Sequence, residues 1–263
     1  MADRKQILDH AARDAQERVL LAHVLDRCEQ SRTRNSPSHT DFLSPAEARS
    51  AEEALHAAAY HDGWAFAGGY ARAERRMLCF LPDWQDEPDE AEYMAALRVR
   101  WHETEELTHR DLLGSLMALG VTRGKLGDIL VSPRSADVIV AAELAEHLAD
   151  EWTSAGHVRL HAERIALSAL CVPEQKVKEI RDTVATLRLD AVASVGFSMS
   201  RAKAAELIAS GRVQLNHRET LKPDAPMREG DVVSARGVGK FELAEVGGLS
   251  RKGRRGIVVR RYL

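Results

Sequence analysis

Ile7, Leu8, Ala11, Ala15, Val19, Ala22 and Leu25 recur at helical spacing and predict one helix over residues 3–30. After the polar run QSRTRNSPSHT, Ser44-Pro45-Ala46-Glu47 has the form of a capping box with proline at the first helical position. That signal predicts a second helix to about Tyr60, stopped at Gly63, so the first sixty residues read as a helical hairpin. WAFAGGY (64–70) and RRMLCFLP (75–82) read as paired strands. The acidic segment PDWQDEPDEAEY reads as a solvated loop, and MAALRVRW (94–101) as a third strand.

In LTHRDLLGSLMALGVTRGKLGDILV (107–131), Thr108 caps a helix with Asp111 in its first turn. Its apolar side carries Leu112, Leu113, Leu116, Met117 and Leu119; Gly120 ends it and GDILV starts a strand. VIVAA (138–142), a helix over ELAEHLADEW and the segment HVRLHAERIAL continue the alternation to about residue 180. Beyond it, RLDAVASVG and residues 200–210 read as two short helices, and RVQLN, DVVSARG, KFELAEV and the IVV near the C-terminus as strands. The fold class is therefore α+β and multidomain: a helical N-terminal region at 1–62, a small α+β middle domain at 63–180 and a C-terminal module at 181–263.

Charge divides the chain along the same line. Residues 181–263 hold 16 Lys and Arg against 9 Asp and Glu; with 37 and 40 in the whole chain, the remainder holds 21 against 31. A module of net +7 on a body of net −10 suits a polyanion partner for the basic part. No run of about 18 apolar residues and no apolar leader stands out, so the expectation is a cytoplasmic protein without a membrane span. Cys28, Cys79 and Cys171 lie far apart among apolar or helical neighbours and read as buried reduced thiols, with no metal site and no cofactor expected.

The second helix of the basic module poses a question. Arg201 and Lys203 occupy its first turn, where the dipole is positive and backbone N–H groups lack partners. Ala204, Leu207 and Ile208 cluster on one side of the helix, leaving Arg201 at the margin of that face, free to reach past the helix start. A phosphate seated there would explain both cations. The alternative is that both extend into solvent at a cost of about 0.3–1 kcal/mol.

Here a resemblance enters. The run RLDAVASVGFSMSRAKAAELIASGRVQLNHRETLKPDAPMREGDVV resembles the alpha-L RNA-binding motif, the domain named after ribosomal protein S-four, through Leu189, Gly196, Ser200-Arg201, Ala204, Ile208, Gly211, Val213, Asn216, Pro223 and Gly230-Asp231. The resemblance implies helices packed on a small β-sheet, with Ser200, Arg201, Lys203, Arg212, Arg218 and Lys222 toward structured RNA. His217 stands where the motif usually has glycine, which implies a looser turn. The basic cluster Arg251, Lys252, Arg254 and Arg255 joins the RNA-binding set.

The wider chain resembles the YlmH family, with LTHRDLLGSLMALGVTRGKLGDI similar to that family's central signature. The resemblance implies a ribosome-associated protein of quality control in stalled translation. Its partners would be rRNA of the large ribosomal subunit, peptidyl-tRNA and a quality-control protein factor, with a link to cell division in some members. Arg110, Arg123 and Lys125 bracket the middle helix and could touch tRNA or rRNA backbone, or belong to a capped core helix with solvated charges. With aromatics at 5% of the chain, phosphate and shape readout is expected rather than base stacking.

Catalysis is not expected. Arg188-Leu189-Asp190 resembles the RLD of pseudouridine synthases, with Asp190 as nucleophile, but AVASVG follows it. Gly120 to Leu126 lacks the spacing and the Ser/Thr of a P-loop, and His157 and His161 lack a carboxylate placed for metal chemistry. The expectation is a non-catalytic RNA-binding protein. An RNA-modifying enzyme and a cell-division-associated interaction protein are the alternatives.

Overall fold

The computed structural model describes residues 4–174, 176–250 and 253–263. The chain divides into two compact units, Met1–Pro173 and Glu174–Leu263.

In the first unit, the helix expected over 3–30 is two helices, α1 (Arg4–Ala11) and α2 (Ala15–Arg34). The apolar spacing of the sequence runs on through the join, so periodicity does not reveal it, yet Ala15 and Val19 of that spacing are exposed while α2 buries Leu21, Val24, Leu25 and Cys28; local polar chemistry makes the break. Asp14 caps α2 by accepting from the Glu17 N–H, while Arg13 grips the Glu17 carboxylate through Nε and Nη2 at 2.7 Å each. The strand β1 (Ser38–His39) falls in the polar run read as loop, and α3 (Pro45–Ala57) has both bonds of the expected capping box. β2 (Trp64–Ala67) and β3 (Met77–Phe80) pair antiparallel as expected, and β1 adds to the far side of β3.

A short helix, α4 (Glu90–Tyr93), ends the acidic segment expected as a loop, and β4 (Met94–Arg100) leaves the first sheet altogether. With α5 (His109–Ala118), β5 (Leu126–Ser132), β6 (Ser135–Ala141), α6 (Ala145–Glu151), the ribbon β7 (Ser154–Ala155) and β8 (Val158–Arg159), and β9 (His161–Ile165), it builds a second layer. The order there is β5-β6-β4-β9, all antiparallel. Leu112, Leu116, Leu148 and Trp152 pack on Leu97, Val99, Val138 and Val140 of the sheet. Met117 and Leu119, expected on the apolar side of α5, are exposed.

No boundary falls at 62/63. β1 pairs with β3 across it, and Phe42 shares a core with Met77, Cys79, Met94 and Ile139. A buried guanidinium ties the layers together: Arg75 donates to the carbonyls of Leu126, Phe42 and Arg123 at 2.7–2.9 Å. Beside it, Asp128 accepts from Tyr70 Oη and from the N–H groups of Glu74 and Arg75.

The second unit begins at Glu174 rather than 181, because β10 (Val177–Val184) pairs along its length with β15 (Arg255–Tyr262). β10 is an edge strand with only Ile180 and Val184 of its apolar residues on the core, so the alternation that marks a strand is absent from its sequence. Helices α7 (Leu189–Gly196) and α8 (Arg201–Ala209) follow, then β11 (Val213–Leu215), β12 (Arg218–Glu219), β13 (Val232–Ala235) and β14 (Gly239–Leu249). The sheet order is β10-β15-β14-β13-β11-β12. Leu189, Val192, Ala204 and Ile208 bury against Val213, Val233, Phe241, Leu243 and Val259. Gly196 is required there, since a Cβ would lie 2.4 Å from the Phe241 ring.

Candidate nucleic-acid interface

Ser200 caps α8, its Oγ accepting from the Lys203 N–H at 3.3 Å. Arg201 does not run past the helix start into solvent as its place on the helix suggests. It crosses to the first turn of α7, where its Nε and Nη2 bond Asp190 Oδ2 and Oδ1 at 3.0 and 3.1 Å. Arg188 grips the same carboxylate through Nε at 3.2 Å and Nη2 at 3.3 Å. The carboxylate that answers the cation in the first turn is therefore the chain's own. Asp190 is 5% exposed, and such burial is tolerable only with charged partners.

One carboxylate between two guanidiniums leaves a surplus positive charge. The Arg188 and Arg201 side chains remain 42% and 51% exposed. Of the five N–H groups on each guanidinium, two go to Asp190 and three remain. The loop carrying Lys222 is fastened against the same place, the Asp190 N–H donating to Pro223 O at 2.8 Å and the Leu189 N–H to Ala225 O at 2.9 Å. Lys203 and Lys222 are exposed.

The turn between β11 and β12 is tight rather than loose, with φ of 51° at Asn216 and 65° at His217. Positive φ at both positions is the two-residue hairpin geometry, which histidine adopts less readily than glycine. Asn216 anchors it by donating to Asp231 Oδ1 at 2.7 Å and accepting from the Val232 N–H at 2.9 Å. Arg218 follows this turn on β12 and is half-buried. Arg212 is exposed beyond the C-terminal end of α8, a helix length from Arg201, so the structure does not bring these two together.

The C-terminal cluster is divided. Arg251 and Lys252 lie outside the described residues. Arg254 donates through Nε to Thr183 Oγ1 at 2.9 Å and through Nη2 to the Thr183 carbonyl, while Arg255 is exposed. In the first unit, Arg110 is exposed on the first turn of α5, whose capping box joins Thr108 and Asp111. The Asp111 carboxyl sits below its ordinary pKa because Thr108 donates to it. Arg123 is half-buried, and burial lowers its guanidinium pKa against the opposing pull of Asp128. Lys125 is committed to Asp41 and Glu143, each at 2.8 Å, and those bonds raise its pKa. Of the three cysteines, all free, Cys28 and Cys79 are buried as expected but Cys171 is exposed.

Comparison with known proteins sets this geometry in a family. Residues 14–83 match the model "YlmH, N-terminal", residues 88–169 "Putative RNA-binding domain in YlmH" and residues 187–233 "S4 domain". The "Ribosome-associated protein quality control protein P2" of Bacillus subtilis (strain 168) is 37% identical over 215 residues, covering 81% of this chain and 82% of that protein. The chain belongs to the YlmH family. A solved structure, "Cell division protein ylmH from Streptococcus pneumoniae", aligns with TM-score 0.49 at 19% identity, covering 61% of this chain and 98% of that one. Within this YlmH-family chain, two residues of the cluster went unassigned to RNA in the sequence, Arg188 and Asp190. Their signal was the tripeptide Arg188-Leu189-Asp190, which resembled a catalytic motif; in the structure the Asp190 carboxylate is buried and accepts four guanidinium bonds.

Proposed function

We propose that this chain is a non-catalytic RNA-binding protein that docks on rRNA of the large ribosomal subunit in ribosome-associated quality control of stalled translation. Its setting is the cytoplasm, on ribosomal particles, with peptidyl-tRNA and a quality-control protein factor as further partners. The observation that carries the reading is the cationic cluster at the start of α7, where two half-exposed arginines share one carboxylate inside the segment that matches an S4 domain. Ser200, Lys203 and Lys222 lie on the same two helix starts and their loop; Arg212, Arg218, Arg254 and Arg255 extend the contact elsewhere on the unit. Arg110 and Arg123 form a secondary contact on the middle domain. The name of the Bacillus subtilis relative supports the ribosomal setting.

Recognition proceeds through phosphate and shape. Phe197 and Phe241 stack edge-to-face in the core, and Tyr262 is engaged by Lys240 and Glu242, so these rings offer no platform for bases. Binding of this kind weakens steeply with salt. The test is sedimentation of cell lysate at low and high salt, from unstressed and translation-stalled cells. Salt-sensitive migration with free large subunits is the expected result; absence from every ribosomal fraction in both conditions overturns the reading.

A further inference from the structure

Asp190 presents a puzzle of stoichiometry. One bidentate guanidinium neutralises one carboxylate, yet here two converge on it, and the second adds a positive charge that burial of Asp190 does not require. Asp190 is 5% exposed and its carboxylate accepts four bonds, so it has no capacity left to contact a ligand itself. Both arginines spend the same Nε and Nη2 edge on it. Each therefore keeps Nη1 and one Nη2 hydrogen for another acceptor, and no further partner of either guanidinium is found among the described residues.

We propose that Asp190 is a positioning residue for RNA, holding Arg188 and Arg201 as one pre-set pair whose unspent N–H groups receive a backbone phosphate. The inference rests on the RNA-docking reading. Its physical basis is pre-organisation: the carboxylate offsets the repulsion between the two cations and removes rotamer freedom that binding would otherwise have to remove. The peptide at Asp190 fixes the frame as well, because its N–H holds Pro223 O and with it the Lys222 loop.

The test uses the full chain as wild type, D190N, R188Q/R201Q, the triple variant and R188K/R201K. Each is titrated against isolated large ribosomal subunits and against bulk tRNA over a range of salt. D190N is expected to weaken binding by about tenfold and to flatten the log–log salt slope by about one, as for a lost phosphate contact. The triple variant is expected to match R188Q/R201Q, since Asp190 acts only through the arginines. A folded D190N with wild-type affinity, or a D190N effect that adds fully to loss of the arginines, overturns the proposal. If D190N does not fold, R188K/R201K carries the test, because it keeps both charges and loses the planar fork. Weaker binding supports positioning, and unchanged binding overturns it. Wild-type binding to tRNA alone removes the large-subunit reading and leaves Asp190 to be judged on tRNA. Wild-type binding to neither probe removes both.

Discussion

Arg201 Nε lies 3.0 Å from Asp190 Oδ2, joining the first turn of α8 to the first turn of α7. The bond makes Arg201 part of the fold as well as of the cationic surface, and it separates Arg201 from Lys203, which occupies the same helix turn.

Arg201→Ala should therefore lower the stability of the C-terminal unit by about 1–2 kcal/mol, the scale of charged hydrogen bonds reduced by the half exposure of the arginine. Lys203→Ala should stay within about 0.5 kcal/mol, as for exposed sites without partners. Thermal and urea melts of the two variants compare them, and equal melts would contradict the Asp190 contact.

In α8, Ile208 is fully buried whereas Leu207 packs at the edge of the core and is half-buried. Ile208→Ala should cost about 2–5 kcal/mol and Leu207→Ala clearly less. Gly196→Ala should cost about 1–3 kcal/mol by driving a methyl into Phe241. Circular dichroism melts rank the three, and a larger loss at Leu207 than at Ile208 would mean that the helix is rotated.

Glu17 gives the first unit a pH dependence. Burial alone would raise its pKa, but hydrogen bonds from Arg13 and Ser50 win and hold it at about 2, below the ordinary 4.5. A depressed carboxylate contributes its stability in full above about pH 5 and loses it as the pH falls toward 2. The acid side of the stability profile should flatten in Glu17→Gln, whose stability at neutral pH is already reduced. An unchanged acid limb would remove Glu17 from the account.

Thiol reactivity should be confined to one position. Burial pushes Cys28 up to about 11 and Cys79 up to about 12, and neither side chain reaches solvent, whereas Cys171 is exposed. A thiol-reactive probe on the native chain should label one cysteine rapidly, at Cys171, and all three after unfolding. Fast labelling at Cys28 or Cys79 would show that the first unit opens.

Several features were legible because their chemistry is local. The Ser44–Glu47 capping box and the Thr108 cap each depend on residues within one helix turn, and both form. The β2–β3 pair was legible from two apolar runs and a short connection. The break at Asp14 was hidden because the apolar spacing of the sequence continues through it, and β10 because this edge strand carries charges on half of its positions. Met117 and Leu119 were misplaced on the apolar side of α5 because a wheel cannot say how wide a strip the partner sheet covers.

The sequence by itself determined the α+β class, the family, the division of charge and most helix starts, since each is written in composition, ordered motifs or contacts between near neighbours. Only the tertiary structure decided which cations are spent and on what. Lys125 goes to Asp41, 84 residues away, and Arg201 to Asp190, 11 residues away. Arg75 goes to carbonyls 33 to 51 residues distant. Hydrogen bonds and ion pairs act over a few ångströms, so their partners are set by where the folded backbone brings side chains, and a linear pattern does not record that distance.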